Sequence, residues 1–95
     1  AFGIFGGKAE TVELVFDASI AGYVRERNWH ESQKLDDVAD GGVRLTLEVA
    51  PSFDLKSWVK GFLPHVRVER PASLRAEIAR EIEAARAAFP APPAA

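Results

Sequence analysis

The chain of 95 residues contains no cysteine and no methionine. Without cysteine it can form no disulfide, no thiolate metal site and no cysteine nucleophile. It has no apolar run of about 18 residues, which a membrane-spanning helix needs. It also has no basic segment followed by an apolar one, the pattern of a secretory signal. We therefore expect a protein that does not enter a membrane, and the absence of cysteine is compatible with the cytosol.

An excess of basic side chains is also missing. The chain carries 12 lysines and arginines against 14 aspartates and glutamates, a net charge of −2. Domains that bind nucleic acid on their own usually carry net positive charge, so we expect no binding to duplex promoter DNA by this chain alone. It begins Ala-Phe-Gly without methionine, and we expect it to be a piece of a longer protein.

Alternating apolar and polar residues predict strands over 11–17, 43–49 and 65–70 and a weaker strand within 32–42. The dipeptide Asp40-Gly41 predicts a hairpin turn, because such a turn needs positive φ angles.

Apolar residues at helical spacing predict three helices, of which the first runs to about Asn28. The residues suited to cap them are Asp17 or Ser19, then Ser52, then Ser73. The third helix carries its apolar stripe through to Phe89.

The resulting order is β-α-β-β-α-β followed by one more helix. This order predicts an α+β, ferredoxin-like fold, a four-stranded antiparallel sheet with two helices on one face plus a C-terminal helix. We assign residues 1–8 to a linker, 9–89 to the domain and 90–95 to a disordered proline- and alanine-rich tail.

Residues for catalysis or metal binding are scarce. Nothing pairs a nucleophile with a base, and His30 and His65 have no carboxylate or cysteine neighbours at ligand spacing. The acidic run 35–42 lacks the final glutamate of a calcium loop, which favours a solvated hairpin. We expect no catalytic residues, no metal and no cofactor, and therefore no enzyme.

RNA-recognition modules share the predicted topology and stack bases on aromatic side chains of the sheet face that is turned away from the helices. In this chain the outward positions on 43–49 and 65–70 hold no aromatic residue. Arg44, His65 and Arg67 can form a secondary anion patch for one or two phosphates. The alternative is that they form cross-strand ion pairs.

The stretch 23–33, Tyr-Val-Arg-Glu-Arg-Asn-Trp-His-Glu-Ser-Gln, ends the first predicted helix. Arg27 falls in line with the apolar stripe of that helix. It either lays its stem on the core or holds its guanidinium out to an anion or carboxylate. Trp29 is either a lid on the core or an exposed anchor at an interface.

The chain resembles the WCX domain, the C-terminal extension of WYL-domain transcriptional regulators. The resemblance covers residues 3–89. It is carried by the strand 14–16, the stretch 23–33, the Asp40-Gly41 hairpin, Trp58, and Pro71 followed by Ser-Leu-Arg. One departure is Leu63-Pro64, where the family usually has a glycine turn.

The resemblance implies a bacterial, cytoplasmic regulator that is a homodimer. The domain would act beside a WYL domain and a helix-turn-helix of the same chain, and promoter DNA would be bound only through that helix-turn-helix. The effector would be a nucleic acid or a nucleotide-like ligand. We assign effector or interdomain contacts to Arg25, Arg27, Trp29 and Gln33.

Two alternatives share the predicted topology. An ACT-like small-molecule-binding domain would have glycine in the first strand–helix turn, and an acylphosphatase-like enzyme would have a phosphate-cradling arginine there. The turn is Asp-Ala-Ser, residues 17–19, and supplies neither.

Overall fold

The computed structural model describes residues 8–92, so residues 1–7 of the predicted linker and 93–95 of the predicted tail lie outside the described residues. The elements, in chain order, are β1 Glu10–Phe16, α1 Ala18–Arg25, β2 Lys34–Asp37, β3 Val43–Val49, α2 Phe53–Lys60, β4 Val66–Arg70 and α3 Ala72–Ala88. The four strands form one sheet in the order β2-β3-β1-β4 with antiparallel neighbours. This arrangement confirms the predicted ferredoxin-like fold with an added C-terminal helix.

The core lies between one face of the sheet and the helices. Alternation puts every second residue of β1 and β3 on this face, and Leu14 and Leu45, which pair across the strands, are fully buried. Leu55 and Val59 of α2 are buried against the same cluster. Full burial of each such side chain contributes roughly 1.5–3 kcal/mol, so the alternation that predicted the strands also accounts for their stability.

Two of the predicted helix caps are confirmed and one is wrong. The Asp17 carboxylate accepts a hydrogen bond from the Ser19 amide at 3.0 Å, and the Ser52 hydroxyl accepts one from the Leu55 amide at 3.3 Å. Ser73 does not cap α3, because that helix begins at Ala72 and its N-cap position is Pro71. Proline has no N–H to donate to a preceding turn, so a helix begins readily directly after it, here before the serine is reached.

The hairpin between β2 and β3 depends on its glycines. A short 3₁₀ turn spans Ala39–Gly41, with φ of 63° at Asp40 and 81° at Gly41. At Gly42 an added Cβ would lie 2.6 Å from the carbonyl oxygen of Phe16. The predicted turn is therefore confirmed, and Gly42 is needed for the close approach of two backbones.

Helix α3 packs against β4 and beside α2 rather than over the open face of the sheet. Leu74 and Ile78 enter the core. The C-terminal part of the apolar stripe of α3 is exposed to solvent: Ile82 is 46% exposed and Phe89 is 81% exposed. The apolar face predicted for this helix is therefore buried only in its N-terminal half.

Ion pairs join α3 to α2. Lys56 contacts Glu77 and Glu81, and Lys60 contacts Glu81. Hydrogen bonds to Glu77 and then Glu81 raise the pKa of Lys56, and hydrogen bonds from Lys60 and then Lys56 lower the pKa of Glu81. Within residues 8–92, no helix combines the length and the hydropathy needed to cross a bilayer.

Candidate functional site

Helix α1 ends at Arg25, three residues before the predicted end at Asn28. The amide of Glu26 donates to the Gly22 carbonyl at 3.2 Å, and the amide of Arg27 donates to the Val24 carbonyl at 3.4 Å. The stretch 23–33 is thus the last turn of a helix followed by a loop. Arg27 lies in the loop and not in the apolar stripe of the helix, which corrects its predicted place.

Gln33 holds this loop together. Its Oε1 accepts hydrogen bonds from the amides of Trp29 at 2.6 Å and His30 at 3.4 Å, and its Nε2 donates to the carbonyl of Arg27 at 3.2 Å. One side chain therefore satisfies three backbone groups that no regular element pairs. This role fixes the path of the chain between α1 and β2.

Trp29 is half-buried in an aromatic cluster. Its ring lies 5.1 Å from that of Trp58, 5.8 Å from that of Tyr23 and 6.1 Å from that of Phe62, centroid to centroid. Its Nε1 donates to the carbonyl of Val24 at 3.2 Å. Trp29 thus closes the end of α1 over α2, in the position of a lid on the core.

Arg25 also has partners within the domain. Its Nη2 donates to Asp37 Oδ1 at 2.8 Å and to the carbonyl of Gly42 at 3.2 Å. These contacts tie the C-terminal end of α1 to the β2–β3 hairpin. The positive charge also lies at the helix end where the macrodipole favours a cation.

Arg27 differs from its neighbours in the stretch. Its guanidinium carbon lies 3.9 Å from the centroid of the Tyr23 ring, and the side chain is exposed. Stacking on an aromatic face restricts the orientation of the guanidinium, while its N–H groups stay free to donate in the plane of the guanidinium. Among the residues that the structure describes, no acceptor or carboxylate contacts those N–H groups.

The secondary patch separates into two parts. Arg44 and Arg67 flank Val15 from β3 and β4, and both contact Glu69, at 3.2 Å and 3.4 Å. Val15, which the alternation predicts on the polar face, is only 4% exposed. Long side chains at both neighbouring positions of the sheet are able to cover a small residue between them. The Arg44–Glu69 contact joins two different strands, as the alternative interpretation expects, whereas the Arg67–Glu69 contact lies within β4.

His65 lies at the start of β4 and contacts the N-terminus of α1. Its Nδ1 is 2.9 Å from Asp17 Oδ2 and 3.1 Å from Ser19 Oγ. Hydrogen bonds from Ser19 and then His65 lower the pKa of Asp17. Sequence reasoning missed this cluster. Antiparallel pairing of β1 with β4 places the end of one strand beside the start of the other, and this topology was the signal available for it.

Comparison with known proteins supplies the family. The family model for the WCX domain matches residues 8–86.

The chain belongs to the WCX domain family.

This membership supports a regulatory role for the domain. The curated proteins contain no match to the sequence. Within this WCX domain, Trp29 and Gln33 form one connected unit with the backbone of Arg27. Arg25 contacts the hairpin instead, and the patch residues lie on the sheet face and at the start of β4.

Proposed function

We propose that this WCX domain is the C-terminal regulatory domain of a bacterial, cytoplasmic WYL-type transcriptional regulator. In that role it contributes to dimerisation and to effector sensing and has no enzymatic activity. The match to the WCX family supports the regulatory part. The net charge of −2 supports a division of labour in which a helix-turn-helix elsewhere in the full-length chain binds the promoter.

One observation carries the sensing part of the proposal. Of the four residues assigned to the contact site, Arg27 alone has a charged group without an ion-pair partner in residues 8–92. The other three have polar groups bonded within the domain, as described above. A guanidinium stacked on Tyr23 at 3.9 Å is oriented in advance, so less conformational entropy is lost when it binds a planar, two-oxygen acceptor.

The partner of Arg27 is an anion with paired oxygens. A phosphate of a nucleotide-like effector and a carboxylate of the neighbouring WYL domain both have this chemistry. The two sources differ in when the contact exists. A contact with effector phosphate forms only when effector binds, whereas a contact between domains is present without it.

The test is Arg27→Ala in the full-length regulator, with Arg80→Ala as the control. Arg80 is an exposed arginine of α3 without an ion pair in residues 8–92. Effector response is read from a promoter reporter, and stability from thermal unfolding without effector. We expect Arg27→Ala to raise the effector concentration for half-maximal response roughly ten- to a hundredfold, since a charge-assisted bidentate contact is worth roughly 1.5–3 kcal/mol. Arg80→Ala should leave it unchanged.

The outcomes separate the two sources. An altered response with unchanged unfolding indicates effector phosphate. A lower unfolding temperature of the full-length protein without effector indicates a WYL carboxylate only if the isolated domain keeps its unfolding temperature, because Arg27→Ala also removes the contact with the Tyr23 ring. If Arg27→Ala and Arg80→Ala behave alike in both measurements, Arg27 does not contribute to sensing. Light scattering of the full-length protein tests the dimer independently.

A further inference from the structure

A groove of about 470 Å³ lies between β4 and α3. Aliphatic side chains from α2, β4, α3 and the segment before β4 make most of its surface: Val59, Leu63, Val66, Val68, Ile78 and Ile82. Its volume is within the range of about 300–1,000 Å³ typical of ligand pockets. The half-exposed Ile82 belongs to it, so the uncovered part of the α3 stripe continues this surface.

The backbone along this groove is the edge of the sheet. Strand β4 pairs with β1 on one side only. No backbone group of residues 8–92 outside β1 bonds to the residues of β4. A strand edge with unpaired N–H and C=O groups is a template for one more strand. A ligand that matches it supplies a peptide backbone in extended conformation.

The rim of the groove is positively charged. Arg67 is 69% exposed at its side chain and has only a long contact of 3.4 Å to Glu69. Glu69 is also held by Arg44 at 3.2 Å. Arg75 lines the α3 side of the groove and has no ion-pair partner among the described residues. Two cations are therefore available on opposite walls, while the one carboxylate of the rim is already shared.

We propose that this groove binds an extended segment of a partner protein in which apolar residues alternate with acidic ones. The segment adds a strand to β4. Its apolar side chains enter the aliphatic floor, and its acidic side chains point to the other face of the strand and meet Arg67, while Arg75 adds positive charge on the α3 wall. The alternation follows from the geometry of a strand, whose successive side chains point to opposite faces.

A nucleic acid fits this surface less well. Single strands bind where bases stack on aromatic side chains, and no aromatic residue among 8–92 lines the groove. The aliphatic floor would desolvate nucleotide polar groups without offering hydrogen bonds in return.

A second copy of the chain also fits less well. Joining two β4 edges antiparallel, about a twofold axis normal to the sheet, would keep all helices on one side of the sheet, with two copies of α3 under the junction. Paired strands are about 4.8 Å apart, whereas packed helices need about 8–10 Å between their axes. A single added strand brings no helix with it.

The test measures binding of a fluorescein-labelled peptide, Gly-Ser-Val-Glu-Val-Glu-Val-Ser-Gly, to the 95-residue chain by fluorescence anisotropy. Two control peptides have the same length: one replaces both glutamates by lysine, and one groups the three valines together. A fourth peptide is N-methylated at alternate residues along one edge. We expect saturable binding of the first peptide with a Kd tighter than about 1 mM, and at least tenfold weaker binding of the other three.

Two protein variants with the same charge change locate the site. Arg75→Glu reverses a charge on the groove wall, and Arg80→Glu reverses one at an exposed position of the same helix that does not line the groove. We expect Arg75→Glu to weaken binding roughly five- to tenfold, because an attraction becomes a repulsion at a partly desolvated rim. Arg80→Glu should change it less than twofold.

Each alternative result overturns a definite part of the proposal. Equal binding of the N-methylated peptide excludes strand addition, and equal effects of the two variants exclude this groove. If no peptide binds and Arg75→Glu instead converts a dimer of the chain to monomers in light scattering, the groove holds a second copy. This assay involves neither effector nor promoter, so its failure is distinct from failure of the proposed sensing role.

Discussion

Replacement of Gln33 by alanine tests whether one side chain organises the loop after α1. Gln33 makes two well-formed hydrogen bonds to backbone groups, at 2.6 Å and 3.2 Å, and a longer one of 3.4 Å. A net contribution of about 0.5–1.5 kcal/mol for each good bond, with water able to replace part of it, gives a loss of roughly 2 kcal/mol. For a domain of this size that lowers the melting temperature by roughly 10 °C.

The assay is urea unfolding followed by the fluorescence of Trp29 and Trp58, which lie in the cluster that the loop closes. Gln33→Glu keeps the acceptor for two amides but loses the donor to the Arg27 carbonyl, so its stability should fall between wild type and Gln33→Ala. Glu31→Ala is the matched control in the same loop, exposed and without a hydrogen bond to the rest of residues 8–92. It should change stability by less than about 0.5 kcal/mol.

The reasoning is refuted if Gln33→Ala unfolds within about 0.5 kcal/mol of the wild type, since the loop would then be fixed by aromatic packing alone. A large loss in Glu31→Ala as well would show that the whole loop is sensitive to substitution. In that case the effect could not be assigned to the hydrogen bonds of Gln33.

Two further predictions concern the close contact of Gly42 with the backbone of Phe16 and the dependence of stability on pH below about 4. Gly42→Ala should lower the free energy of unfolding in urea by roughly 1–3 kcal/mol, because its Cβ would lie 2.6 Å from a backbone oxygen. Gly22→Ala in α1, where an added Cβ has no atom within 4 Å, should raise it by roughly 0.5–1 kcal/mol. Equal effects of the two substitutions would contradict the clash at Gly42. Hydrogen bonds from Ser19 and then His65 lower the pKa of Asp17 below 3.8, so its charge stabilises the fold above that value and the stabilisation is lost as pH falls through the folded-state pKa. Asp17→Asn, which keeps a capping residue, should therefore be less stable than wild type at pH 7, with the difference shrinking below about pH 3.8; a difference independent of pH would rule out the charge.

Much of the fold followed from local patterns. Alternation predicted β3 with its observed bounds Val43–Val49, because a strand with one buried face must place apolar residues at every second position. The caps Asp17 and Ser52 were readable since each lies directly before an apolar stripe. The cap at Ser73 was wrong because Pro71 starts the helix without a side-chain bond.

The residue types of the candidate site could be predicted from the sequence, but their arrangement in space could not. Tyr23, Arg27 and Trp29 stood out as residue types common at interfaces. The end of α1 at Arg25 moved Arg27 out of the apolar stripe, and the sequence pattern gave no sign of this. Helix ends depend on which tertiary contacts satisfy the last carbonyls, and here the Trp29 indole donates to the Val24 carbonyl at 3.2 Å.

The sequence by itself determined the order of elements, the buried face of each strand, the turn at Asp40-Gly41 and the resemblance to the WCX family, because these depend on periodicity and on the φ angles that single residues allow. Only the tertiary structure decided which charges are paired. Arg25, Arg44 and His65 meet carboxylates 12 to 48 residues away along the chain, and such distances are closed by the sheet order and helix packing. For the same reason, only the tertiary structure shows that Arg25 is paired whereas Arg27 is stacked on Tyr23 and has no ion-pair partner in residues 8–92.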